Sequence, residues 1–382
     1  MNFEFATAGR ILFGSGVLRQ IGPLAAAMGH SALIVSGRND EAMETLQRPL
    51  DPLKVVIFTV TGEPTVEVIQ AGVVAAKKAG SDLVIGFGGG SAIDTGKAIA
   101  AMAANPGDLT DYLEVIGAGK TISQSPLPFI AIPTTAGTGA EVTRNAVIAS
   151  PEHRVKVSLR SPLMLPRLAL VDPELTLSLP PAVTAATGLD ALTQLIEPFT
   201  CNAPNPLIDP LCDAGIRRAA GALMRACKEG SNLQAREEMA LASLFGGLAL
   251  ANARLGAVHG IAGPLGGMFH APHGAVCAAL LPHVMATNIR VLRERAAESP
   301  ALLRYDQVAQ LLTGSPAARA EEGAAWIADL CKHLQIPPLA AYGIGRADFP
   351  ELIEKSARAS SMKGNPVPLG ADEIGALLES AL

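Results

Sequence analysis

The sequence predicts an α/β N-terminal domain followed by an all-α C-terminal domain, on three observations. The 382 residues, at roughly 100–200 residues per domain, allow two separate cores. Over the first 180 residues, β-branched runs alternate with Ala-rich segments of helical period, the pattern of a parallel sheet covered by helices. After Pro180-Pro181 those runs disappear, and Ala, Leu and Gly recur at helical spacing to Leu382. A double proline cannot continue a helix and pushes the preceding residue toward extended backbone. The boundary therefore falls there, giving domains 1–180 and 181–382.

In chain order, the strand signals are 32–36 (ALIVS), 54–59 (KVVIFT), 82–86 (DLVIG), 128–132 (PFIAI) and 168–171 (LALV). Helices are expected over 17–28, 65–79 and 92–104. The long apolar stretch at 239–253 ends at Arg254. At about 15 residues it falls short of the ~20 that span a bilayer and reads as a buried helix. Pro and Gly in 364–370 read as a surface loop.

Composition narrows the function. Hydrophobic residues make up 49% of the chain, which excludes disorder. A net charge of −5, without any block of like charges, gives no footprint for nucleic acid or an anionic membrane. An anionic small ligand would therefore need a local basic site. Five cysteines without a CxxC pair, behind an N-terminus lacking an apolar signal core, point to a reducing cytoplasm.

The strand at 82–86 runs into GFGGGSAIDTGK, residues 86–97. Consecutive glycines let a backbone approach phosphate closely, and the next helix offers unpaired N–H groups and a positive dipole end. The turn reads either as a pyrophosphate cradle or as an ordinary Gly-rich turn with a surface ion pair; the flanking strand and helix favour the cradle. Asp94 and Lys97, three apart, share one side of that helix, and Lys97 is expected to supply the point charge. The pattern is neither GxGxxG nor a Walker A loop. A second polar turn, PTTAGTGAEVT at 133–143, offers Thr134, Thr135, Thr138 and Thr143 at a strand's carboxyl end, where ligands of open α/β sheets bind. An ordinary helix N-cap is its plainer reading.

Four of the seven histidines lie between His259 and His283. Upstream, Asp190, Gln194 and Glu197 fall at i, i+4 and i+7, on roughly one helix face. One carboxylate and two imidazoles with a vacant position form a typical catalytic site for a divalent transition metal; Asp190, His259 and His273 are that set. His283 is assigned to packing, while His30, His153 and His333 read as solvated.

Taken together, these segments resemble the iron-containing (group III) alcohol dehydrogenases, near the lactaldehyde/propanediol oxidoreductase and maleylacetate reductase branches. The likeness spans ILFG at 11–14, the glycine cradle, PTTAGTGAEVT, LVDP at 170–173, AATGLDALTQLIEPF at 185–199, VHGIAGPLGG at 258–267 and APHG at 271–274. It implies the dehydroquinate synthase-like fold: a dinucleotide-binding domain, a helical metal domain, and hydride transfer between them using NAD or NADP and Fe or Zn. By position, Gly88, Gly89, Gly90, Ser91 and Asp94 would hold the pyrophosphate. Thr134, Thr135, Thr138, Thr143, Val147 and Lys156 would contact the rest of the nucleotide. The substrate would be a small alcohol or carbonyl compound, and the assembly a homodimer.

Three departures matter. Gln194 stands where most relatives carry a third metal histidine, and it can offer only a weaker carbonyl oxygen. Gly263 replaces a histidine thought to relay protons, a role for which nearby His270 is the candidate. At the end of the second strand, Gly37 and Arg38 stand where NAD-preferring relatives place an aspartate, and Arg38 could pair with a 2′-phosphate, so NADPH is expected to be accepted. Two other enzyme readings remain: a metal-free maleylacetate-type reductase, which Gln194 and Gly263 favour, and a dehydroquinate synthase-like lyase. The lyase would need several basic residues near the ligands, and few are present. A non-catalytic dinucleotide-binding scaffold would have no need of the three ligands.

Overall fold

The protein, described by a computed structural model over residues 2–37, 41–269 and 271–382, packs as two units. The α/β unit comprises Ala6–Thr135 and Gly139–Leu177. The helical unit comprises Ser178–Leu382 with Met1–Phe5 and Ala136–Thr138.

The α/β unit holds strands β1 (Ile11–Phe13), β2 (Ser31–Ser36), β3 (Lys54–Thr59), β4 (Leu83–Gly88), β5 (Phe129–Pro133), β6 (Asn145–Ser150), β7 (Val155–Arg160) and β8 (Leu168–Val171). Its helices are α1 (Ile21–Ala26), α2 (Glu41–Gln47), α3 (Val66–Ala79), α4 (Gly90–Ala104) and α5 (Leu109–Tyr112). Six strands form one parallel sheet in the order β1-β8-β5-β4-β2-β3, and β6 pairs with β7 as an antiparallel hairpin. The predicted strands are continuous apolar runs because β2, β4 and β5 are buried on both faces. Leu33 and Val35 enter one core with Ile69 and Ile99, while Ala32 and Ile34 enter the other with Ile21 and Met43. From β2 the chain moves outward to β3 and then crosses back to place β4 on the other side of β2. The carboxyl ends of β2 and β4 thus flank a topological switch point, where open α/β sheets bind ligands.

Helix α3 begins one residue after Thr65, whose hydroxyl accepts from Val68 N at 3.3 Å as an N-cap. The helix expected over 17–28 is split into a 3₁₀ turn, Val17–Gln20, and α1. Asp172 pins that turn by accepting from Gly16 N and Leu18 N, each at 3.0 Å.

The helical unit contains α6 (Pro181–Thr200), α7 (Asp209–Lys228), α8 (Leu233–Asn252), α9 (Ala257–Met268), α10 (His273–Arg295), α11 (Pro300–Thr313), α12 (Ala320–His333), α13 (Phe349–Arg358) and α14 (Ala371–Ala381). Pro181 starts α6 at a position where its missing N–H costs nothing. The apolar stretch at 239–253 lies mostly in α8 and is largely buried. Among the described helices, α10 alone is long and apolar enough to cross a bilayer, yet most of it is buried in the helical core.

Residues 364–370 correct the surface-loop expectation. Gly364 and Asn365 are buried, and a Cβ on Gly364 would lie 2.0 Å from Leu255 O. Asn365 exchanges hydrogen bonds with Asn288 at 2.7 and 3.0 Å, and Asn288 also donates to Tyr305 Oη at 3.0 Å. Such a network is stable in a core because its polar atoms find partners.

Candidate metal centre and nucleotide cradle

Three helices of the helical unit converge on one cluster. Helix α6 carries Asp190, Gln194 and Glu197 on one face, α9 carries His259 in its first turn, and α10 opens on His273. Gly274 permits the convergence. A Cβ there would lie 2.7 Å from Ala186 O, so any side chain would push the start of α10 off α6.

Asp190 Oδ1 stands 3.5 Å from His259 Nε2 and 3.7 Å from His273 Nε2, and the two ring centroids are 5.5 Å apart. The aspartate is 1% exposed, and its Oδ1 accepts no hydrogen bond. Gln194 Nε2 donates to Gly137 O at 3.3 Å, which leaves Oε1 buried without a donor. His273, by contrast, keeps 33% of its side chain exposed and forms the open side of the cluster.

Glu197 is the residue whose task sequence reasoning missed. Its Oε1 accepts from Val258 N at 2.6 Å and its Oε2 meets His259 Nδ1 at 2.7 Å. A carboxylate only accepts, so Nδ1 carries the proton and Nε2 is turned toward Asp190. The preceding N–H of α9, on Ala257, donates to Asn365 Oδ1 at 3.1 Å. Two orphan donors of a helix start are thereby satisfied while the imidazole is aimed. The same-face spacing of Asp190 and Glu197 was the available signal.

The electrostatics call for a cation. Burial opposes the charge on Asp190, but His273 and His259 outweigh it and hold the carboxyl below its usual range. Burial also disfavours an imidazolium at His259, yet the Asp190 and Glu197 carboxylates beside it push it up to about 10. A buried carboxylate oxygen without a hydrogen-bond donor beside two imidazole nitrogens fits a divalent ion, which would supply the positive charge now left to a proton.

In the α/β unit the glycine cradle joins β4 to α4. Gly88 has φ +149°, and a Cβ on it would meet Ala92 Cβ at 2.8 Å. Gly89 is the N-cap of α4 and passes the Thr135 side chain, which a Cβ would approach to 3.4 Å. Thr134 N donates to Gly88 O at 2.9 Å, so the two polar turns lie side by side. Gly90 and Ser91 open the helix beneath them. Gly37 is exposed at the end of neighbouring β2, and Gly88 would bring a Cβ within 3.8 Å of its nitrogen. This bare, tight turn fits a diphosphate.

The charged residues near the cradle are committed elsewhere. Lys97 is 1% exposed, and Nζ donates to Thr143 Oγ1 at 2.9 Å and to Asn145 O at 2.6 Å, with Asp94 at 3.4 Å. These bonds staple α4 to the hairpin, with Lys97 Nζ bonded to Asn145 O on β6. Asp94 Oδ2 accepts from Val147 N at 3.0 Å, and Thr143 is buried. Lys156 pairs with Glu63 at 2.6 Å. Thr138 belongs to the short segment that packs with the helical unit. Arg38 and His270 lie outside the described residues. His30, His153 and His333 are exposed, while burial pulls the half-buried His283 below its ordinary pKa.

Residues 8–173 match the family model described as iron-containing alcohol dehydrogenase, and residues 184–382 match the C-terminal model of the Fe-containing alcohol dehydrogenase family. The chain belongs to the iron-containing alcohol dehydrogenase family. It is 34% identical to the 1,3-propanediol dehydrogenase of Klebsiella pneumoniae, over 99% of this chain and 98% of that one. It is 35% identical to alcohol dehydrogenase 4 of Saccharomyces cerevisiae, over 92% of this chain and 88% of that one. Among solved structures, a 1,3-propanediol oxidoreductase superposes with TM-score 0.93 at 33% identity, covering 100% of both chains. The sulfoacetaldehyde reductase of Bifidobacterium kashiwanohense, solved with NAD+, superposes with TM-score 0.87 at 29% identity, covering 100% of this chain and 99% of that one. Both predicted halves of the fold are those of this family.

Proposed function

We propose that this member of the family interconverts a small alcohol and its aldehyde or ketone with NAD(P), using a divalent ion held by Asp190, His259 and His273. The observation that carries the reading is the buried, hydrogen-bond-free Oδ1 of Asp190, which stands 3.5 Å from His259 Nε2 and 3.7 Å from His273 Nε2. When bound, the ion supplies Lewis acidity to the substrate oxygen, and the nicotinamide gives or takes the hydride.

The chain's own residues do the remaining work. Asp190 keeps a negative charge in the core, Glu197 fixes the His259 tautomer, and His273 stands at the exposed side where substrate enters. Gln194 Oε1 offers one further neutral oxygen. Gly263 lies one turn beyond His259 on α9, and a Cβ there would meet nothing within 4 Å, leaving room for a substrate chain. The cradle at Gly88, Gly89, Gly90 and Ser91, with Thr134 and Thr135 beside it, takes the pyrophosphate through backbone N–H groups. No carboxylate stands at Ser36 or Gly37 to repel a 2′-phosphate, so both NADH and NADPH serve.

A carbonyl screen with each reduced cofactor, run before and after chelation and again with metal restored, tests this. Turnover should vanish on stripping and return with the metal. His259→Ala should lose metal together with on the order of 10³-fold in kcat/KM, as expected when several kcal/mol of transition-state stabilisation disappear, while its circular dichroism at low temperature stays that of the folded wild type. Full turnover in stripped protein refutes the proposal and selects a metal-free reductase.

A further inference from the structure

The ion site has a neighbour that neither the metal-ligand spacing nor the family likeness assigns. On α10, Cys277 follows His273 by four residues and so projects from the same face. The thiol is fully buried, with Sγ 3.6 Å from His273 Nε2. Ligand atoms of Asp190, His259, His273 and Cys277 all lie within 4.8 Å of one another, and no other described cysteine joins such a group.

We propose that Cys277 Sγ is the fourth protein ligand of the metal. This rests on the reading that an ion sits among Asp190, His259 and His273.

Distances carry the first part of the argument. Bonds of about 2.0–2.1 Å to nitrogen or oxygen and about 2.3 Å to sulfur place tetrahedral ligand atoms roughly 3.3–3.6 Å apart. The Asp190–His259, Asp190–His273 and His273–Cys277 separations are 3.5, 3.7 and 3.6 Å, so closing the shell on an ion needs only small side-chain shifts. Charge carries the second part. With one carboxylate and neutral donors, half of a buried divalent charge is left to Glu197, one imidazole away, whereas a carboxylate with a thiolate balances it within the ligand shell. The thiol's proton leaves to solvent as the sulfur–metal bond forms, with no change of oxidation state. The exposed His273 side would remain the side open to substrate. A thiolate donor also shifts the preference from Fe(II) toward zinc, with cobalt(II) a faithful probe of the site.

The test is to strip the full-length protein, load it with Co(II), and measure bound cobalt by elemental analysis alongside the absorption spectrum. Wild type should hold one equivalent and show a near-ultraviolet sulfur-to-cobalt charge-transfer band. Cys277→Ser and Cys277→Ala should lose the band and bind cobalt more weakly by roughly tenfold or more, at least matching the effect of outer-shell changes. One bound cobalt without the band in wild type, or a band that survives both substitutions, overturns the thiolate ligand and leaves the three-residue site intact. Failure of wild type to retain cobalt any better than His259→Ala overturns both.

Discussion

The metal cluster and the glycine cradle treat their polar groups in opposite ways. In the helical unit, Asp190 Oδ1 and Gln194 Oε1 are buried without hydrogen bonds, and the fold bears the cost of desolvating them. Around the cradle the reverse holds. Lys97, Asp94 and Thr143 satisfy one another and the backbone of β6, and the turn itself offers only backbone and small side chains. An unsatisfied carboxylate oxygen grouped with two imidazoles is the signal on which the proposed ion site rests, whereas a charge beside a glycine loop can serve the fold.

Four substitutions can break or sharpen that contrast. The largest effect is expected at Lys97. Burial disfavours its charge and Asp94 and Glu141 support it, so Lys97→Met should cost about 3–5 kcal/mol of stability, as when one member of a buried charge cluster is removed. A variant of full stability with a greatly raised KM for the dinucleotide would return Lys97 to the cradle.

Glu141 gives a pH signature of the same cluster. Burial lifts its carboxyl from 4.5 to about 7, so the native state keeps a proton that the unfolded chain has already released. Its contribution is full below pH 4.5 and is lost as pH rises through about 7. Between those limits, wild type should lose up to about 3 kcal/mol more than Glu141→Gln, read by denaturant unfolding. Parallel pH profiles would contradict this.

In the metal region, Glu197→Gln should lower metal affinity by roughly 10–100-fold, the usual effect of disturbing a carboxylate that orients a ligating histidine. Unchanged affinity by competitive chelation would remove Glu197 from that role. Gly88→Ala should raise the dinucleotide KM by about tenfold, with about 1–2 kcal/mol of strain from a non-glycine residue at positive φ. A KM equal to wild type would show that the cradle tolerates a side chain.

Much of the fold was legible because burial and period coincide. The runs in β2, β4 and β5 are apolar throughout, as strands covered on both sides must be, and Thr65 announces α3 by its capping hydroxyl. Composition misled where tertiary contacts decide. Residues 364–370 carry the Pro and Gly of a surface loop, yet Asn365 is drawn into the core by Asn288 and the start of α9. The i, i+4, i+7 spacing put Asp190, Gln194 and Glu197 on one face, but only the fold supplies the partner of Glu197, which lies more than sixty residues away. Spacing also paired Lys97 with Asp94; it could not show that both bond to the backbone of β6. Cys277 reads as one more apolar position of α10 until His273 is seen beside it.

The central claim is that Asp190, His259 and His273 together hold a catalytic divalent ion. Anomalous diffraction from crystals of the metal-loaded protein, collected on both sides of the metal's absorption edge, tests it most directly. The account predicts one strong peak about 2.0–2.2 Å from Asp190 Oδ1, His259 Nε2 and His273 Nε2; a fully active, metal-loaded protein with no peak at that position would contradict it.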